Sequence, residues 1–177
     1  MQYKEVSALK PAIIANIYKT ETIRNTLLFN TETELSSLFQ SLGGDKGKIV
    51  EGVKNIDDMI KEMVDTTDLQ SQADQLVKLM ENRKKFVTEI MQMNVLYKAG
   101  KIENYYQYAL RSDFITPKPT ESYLNKLEKE NLNWLKKIEE VLKTKTAFVV
   151  IDIMQLSGEK GLLHLLKNKG YKLINEN

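Results

Sequence analysis

The chain has 177 residues, of which 42% are hydrophobic and 28% charged, the balance of a folded globular domain rather than of a disordered segment. Its 26 basic and 24 acidic residues leave a net charge of +2, mixed along the sequence, so the basic footprint of a nucleic-acid binder is missing. The count of cysteines is zero, which excludes disulfides, thiolate metal sites and cysteine nucleophiles.

Elements follow in chain order. Residues 6–18 read as a helix, with Pro11 tolerated near its start. Residues 31–42 read as a second, with Thr31 as N-cap, Leu35, Leu38 and Phe39 on one face, and Gly43-Gly44 as the stop. Residues 48–53 are a candidate strand, and residues 56–64 a short amphipathic helix after it. Residues 69–99 form a long helical stretch in which Leu76, Leu79, Met80, Phe86, Ile90, Met93 and Leu96 recur at helical spacing, ended by Gly100. A helix over 102–110 and a loop over 114–119, punctuated by Pro117 and Pro119, come next. Residues 120–142 form a charged helix with Leu124, Leu127, Leu132, Trp134, Leu135, Ile138 and Leu142 as its apolar members.

The last part of the chain carries the most information. Ala147-Phe148-Val149-Val150-Ile151 is a short β-branched run and reads as a buried strand. A Ser157-Gly158 turn follows, then a helix with Leu162, Leu163, Leu165 and Leu166 on its packing side. Gly170 is its left-handed cap, and a second strand lies near Tyr171 to Ile174. A strand-helix-strand unit implies parallel neighbours, with ligands at the carboxyl end of the first strand. Asp152 and Gln155 occupy that loop. The expected fold is therefore α/β, richer in helix than in strand, with a small, mainly parallel sheet.

This C-terminal segment resembles the signature of the TraB/GumN family, whose animal relatives include the Tiki proteins. Leu156, Gly158, Glu159, Gly161, Leu162, Leu163, Gly170 and Tyr171 match the family pattern in order, and Asn131 and Trp134 match its Arg-Asn-x-x-Trp pattern. The resemblance covers nearly all of the chain as a single domain, and is specific from Asn131 to Tyr171. It implies metal-dependent peptidases whose active groups come from two Gly-x-x-His motifs, a glutamate and an arginine. Here Asp152 stands where the family has glycine, Gln155 where it has histidine, Lys54 where it has glutamate and Glu130 where it has arginine. The front part with the first Gly-x-x-His motif has no counterpart.

Those substitutions remove the expected chemistry. A hydrolytic metal site needs about three protein ligands and an open position, and neither a neutral amide nor a lysine suits a transition metal. The expectation is a family member that has lost catalysis, takes no cofactor, and binds a peptide or protein partner through the cleft near Asp152 and Gln155. The alternative is a hydrolase holding a divalent metal on other ligands, such as Asp152 with helix carboxylates, or on ligands from a missing N-terminal part. Asp152 could bind a cation or bond the backbone of its own turn. His164, the single histidine, reads as a surface or half-buried structural residue, because one histidine cannot build a site. Glu159 reads as a first-turn carboxylate favoured by the helix dipole. The aromatic group Tyr105, Tyr106 and Tyr108 could line a groove, but Tyr105 and Tyr108 share a helix face and read as packing at the core rim, while Arg83-Lys84-Lys85 reads as a solvated face.

No apolar run approaches a membrane span, and Met1-Gln2-Tyr3-Lys4-Glu5 opens no signal peptide, since the apolar residues after it are broken by Lys10 and Pro11. If the chain is a fragment of a longer family member, an exported or cell-envelope location is expected. A sheet without its front strands would leave an apolar edge uncovered. A homodimer or a tightly bound partner is therefore expected over the strand near Ile49 or the stripe of Leu76, Leu79 and Met80.

Overall fold

The computed structural model describes residues 8–28, 35–55, 57, 68–114 and 121–175. Helix accounts for 69% of them, in eight helices, and no strand or bridge occurs among the described residues. The chain divides into two compact units, residues 1–92 and 93–177.

In the first unit, α1 (Pro11–Leu27) packs on α3 (Leu69–Glu81). Pro11 occupies the first turn, where its missing N–H is not needed. The next donor, the Ala12 N–H, is capped at 3.3 Å by the side-chain oxygen of Gln72 on α3, a residue only 4% exposed. α1 thus runs nine residues past the expected end at 18 and stops at Leu28, which takes a left-handed φ of 53°. α3 starts at Asp68, whose carboxylate accepts from the Ser71 N–H at 3.0 Å. Leu79, Phe86 and Ile90 are buried.

α2 (Leu35–Asp45) buries none of its residues, and it runs through Gly43-Gly44 instead of ending there. The stop is Gly47, whose φ of 63° closes the turn, with its N–H donating to the Gly44 carbonyl. Gly43 serves packing: a Cβ there would sit 2.9 Å from the Val50 side chain. Residues 48–52 form a loop, not the expected strand, and Ile49 is 74% exposed. Thr31 and most of the helix expected over 56–64 lie outside the described residues. The long stretch from Leu69 divides at Asn82 into α3 and α4 (Arg83–Lys98). Asn82 accounts for the break, since its side-chain amide turns back to the Lys78 carbonyl at 2.8 Å. Arg83, Lys84 and Lys85 are exposed, as a solvated face requires.

In the second unit, Gly100 ends α4 as expected, with φ 65° and the Lys101 N–H returning to the Leu96 carbonyl. α5 (Ile102–Arg111) buries Tyr106 and Ala109. α6 (Glu121–Leu142) buries Leu127, Asn131 and Leu135, a single stripe at spacing four. A four-residue helix, α7 (Ile153–Leu156), packs against α5, and α8 (Leu162–Asn168) packs against α6 and α7. Gly170, at φ 90°, caps α8 as the sequence requires, and the Tyr171 N–H bonds the Leu166 carbonyl at 3.1 Å.

The expected parallel sheet is overturned. Residues 146–150 and 171–175 carry no regular secondary structure, and Phe148 and Ile174 are 76% and 71% exposed. A β-branched run favours a strand only where a pleated, half-buried surface receives it. Here α8 packs on α6 and α7 and buries Leu162, while the segments on either side of it meet no strand. The fold is all-helical among the described residues, and the crossover helix survives without the strands it was expected to join.

Candidate functional site

The candidate site lies in the second unit, where the segment 152–161 crosses α5 and α6. Asp152 begins it. Its carboxylate accepts from the Met154 N–H at 2.7 Å and so caps α7, which makes it a turn-forming residue. Gln155 is half-buried, and its amide Nε2 donates to the Glu130 carboxylate at 3.4 Å. Two of the expected positions, Gln155 and Glu130, are thus brought into contact, and Asp152 heads the same short helix. Lys54 belongs to the first unit.

Asn131 organises this region. It has no exposed surface, and its Nδ2 donates to two backbone carbonyls of the crossing segment, Gln155 at 3.1 Å and Lys160 at 2.8 Å. An amide is suited to this because it offers two donors from one nitrogen. Its position in the leucine stripe of α6 places those donors inside the unit. Among the described residues, three side-chain polar atoms are fully buried without a hydrogen-bond partner: Asn131 Oδ1, Gln155 Oε1 and Ser157 Oγ. Native interiors contain few such atoms, and each costs about 1–3 kcal/mol.

The far side of the segment rests on α5. The Gly158 N–H donates to the Glu103 carboxylate at 3.2 Å, and Gly158 takes a φ of 80° against the ring of Tyr106. Gly161 is equally enclosed, since a side chain there would collide with the carbonyls of Leu156 and Ser157. Lys160 is tied to α6 by Asn125 Oδ1 at 2.7 Å and Glu128 Oε2 at 2.9 Å. Burial pushes the Tyr106 phenol above its usual value, the Glu103 carboxylate adding to this and Lys160 opposing it. Burial raises Tyr123 as well, with Tyr106, Asp152 and Glu130 contributing, and raises Tyr105 together with Asp152 and Tyr97. These phenols remain neutral at pH 7.

A groove of about 380 Å³ opens beside the segment. Its apolar wall is Ile102, Leu156, Leu163 and Leu173; Glu103, Glu159, His164 and Lys167 supply its charged and polar groups. His164 is exposed. Glu159 is exposed in the turn ahead of α8, not in the helix's first turn. A second shallow depression is lined by Glu139, Glu140, Lys136, Lys143 and Tyr171.

The residues present do not fit the divalent metal that the sequence resemblance implies. Asp152 is engaged as a cap, Gln155 offers an amide, and no group of three or more His, Cys, Asp or Glu that could hold a metal occurs among the described residues. No described helix is long and apolar enough to cross a membrane.

Glu103 and Tyr106 carry the α5 side of the site; sequence reasoning named Tyr106 only as one of an aromatic group and missed Glu103. Glu103 is an ordinary first-turn acid with no local signal. Asn131 was legible from its matching pattern.

Residues 1–174, nearly the whole chain, match the model of the TraB/PrgY/gumN family. No curated protein and no solved structure matches it.

Proposed function

Because the chain belongs to the TraB/PrgY/gumN family, we propose that it is a catalytically incomplete member that binds a peptide or protein partner through the groove beside segment 152–161. It does so without a metal cofactor. The observation that carries this reading is the groove itself, which begins at Leu156, the residue after Gln155, and combines an apolar wall with a few charged groups. The ligand chemistry points the same way. Where the family pattern has imidazole, glutamate and arginine, this chain has Gln155, Lys54 and Glu130. An amide and an ammonium cannot activate water as a metal-bound imidazole and carboxylate do.

The exposed apolar side chains of Phe148, Leu173 and Ile174 support a polypeptide partner, either a second copy or another chain. Light scattering at micromolar concentration separates the two.

The test is selection from a random peptide library on the immobilised chain, followed by titration of the selected peptides with and without Mn²⁺. The expected result is saturable binding, weakened by Leu156→Asp and Leu163→Asp, with every peptide recovered intact. Metal-stimulated cleavage of a selected peptide would replace this reading with the hydrolase. Failure to enrich any saturable binder would remove the groove as a partner site.

A further inference from the structure

We infer that segment 152–161 is a gate: it lifts from α5 and α6 as a unit and exposes the amides of Asn131 and Gln155. Three observations meet here. The segment's regular structure is the four-residue α7, too short to be stable alone. Its inner side encloses polar atoms with no protein partner, Gln155 Oε1 and Ser157 Oγ on the segment and Asn131 Oδ1 beneath it. Its polar attachments to α5 and α6 are separable: Glu103 to the Gly158 N–H, Asn131 to the Gln155 and Lys160 carbonyls, Glu130 to the Gln155 side-chain amide, and Lys160 to Asn125 and Glu128.

Closing this segment withdraws three hydrogen-bonding atoms from water, and opening returns them, so the closed state is penalised at that spot. The closed form is nevertheless a single defined arrangement. Gly158, at φ 80° against the Tyr106 ring, and Gly161, against the Leu156 and Ser157 carbonyls, sit where the closed segment leaves no room for a side chain. A well-defined closed state with a built-in penalty is the energetic form of a two-state element. The groove shares Leu156, Ser157 and Gly158 with this segment, so lifting it also reshapes the groove. The opening belongs to the free chain and needs no partner, so it stands or falls apart from the binding function.

Native-state amide exchange on the intact protein tests it. The amides of Gln155, Leu156, Ser157 and Gly161, each bonded within the segment, are expected to exchange through a local opening that is insensitive to low urea. Those of Leu127 and Leu135 are expected to exchange only with global unfolding. Ser157→Ala removes one enclosed hydroxyl and is expected to slow exchange of the segment by about tenfold. Glu103→Ala removes the partner of the Gly158 N–H and is expected to quicken it. Exchange of the segment at the rate of the α6 amides would overturn the gate. So would a Ser157→Ala variant whose segment exchanges as fast as the parent or faster, since the enclosed polar atoms would then not be what drives opening.

Discussion

The Asn131 side-chain amide and the Lys160 backbone carbonyl lie 2.8 Å apart, bonded across 29 residues of sequence, and Asn131 itself has no exposed surface. Asn131→Ala removes this bond and the one to the Gln155 carbonyl, strands both acceptors and opens a small cavity. A loss of about 2–4 kcal/mol is expected, read by urea unfolding as a lower midpoint. Asn131→Leu keeps the volume but not the donors and is expected to recover only part of that loss.

Gly158→Ala is expected to destabilise the second unit more than a surface change does. The new Cβ would stand 2.6 Å from the Tyr106 ring while the backbone holds a φ of 80°. The left-handed conformation costs about 1–2 kcal/mol for a non-glycine residue, and the overlap adds about 1–3 kcal/mol. Pairing it with Tyr106→Ala separates the two costs. The double variant should lose less than the sum of the two single changes, and strict additivity would show that the contact does not matter.

Stability should fall in alkali. Tyr105, Tyr106 and Tyr123 all have phenols raised above their ordinary value by burial, so the folded chain holds these protons to higher pH than the unfolded chain. Their contribution is whole below the unfolded phenol value of about 10 and is lost as pH rises through the folded values. A melting temperature level from pH 7 to 9 and declining above about 10 is expected. Tyr123→Phe, which cannot ionise, should make the decline shallower.

Mn²⁺, Co²⁺ and Zn²⁺ should leave the melting temperature unchanged, since a specific site would raise it through binding linkage. Asp152→Ala should cost about 0.5–2 kcal/mol as a lost helix cap, equally with and without metal. A stoichiometric Mn²⁺ isotherm abolished by Asp152→Ala would contradict this and restore the hydrolase.

Most of the helices were legible because period and cap agreed. Gly100 and Gly170 both adopt the left-handed conformation their places demanded, and the expected helices over 102–110 and 120–142 agree closely with α5 and α6. The sheet was misread at Val149 and Val150, which are 41% and 42% exposed. Their β-branched side chains record a preference that only a neighbouring strand can satisfy. At the site, Asp152 and Gln155 were found by resemblance, whereas the Glu103–Gly158 bond joins residues 55 apart. No local pattern encodes a contact at that distance.

The same separations bear on the order of assembly. The Asn131 bonds close loops of 24 and 29 residues, and the Glu103 bond closes one of 55. Shorter loops lose less chain entropy on closure, so α6 and the chain after it can form a nucleus before α5 is recruited. In such a nucleus Asn131→Ala would slow folding, whereas Glu103→Ala would mainly hasten unfolding. The asparagine that ties the site together would then also set how fast the second unit forms.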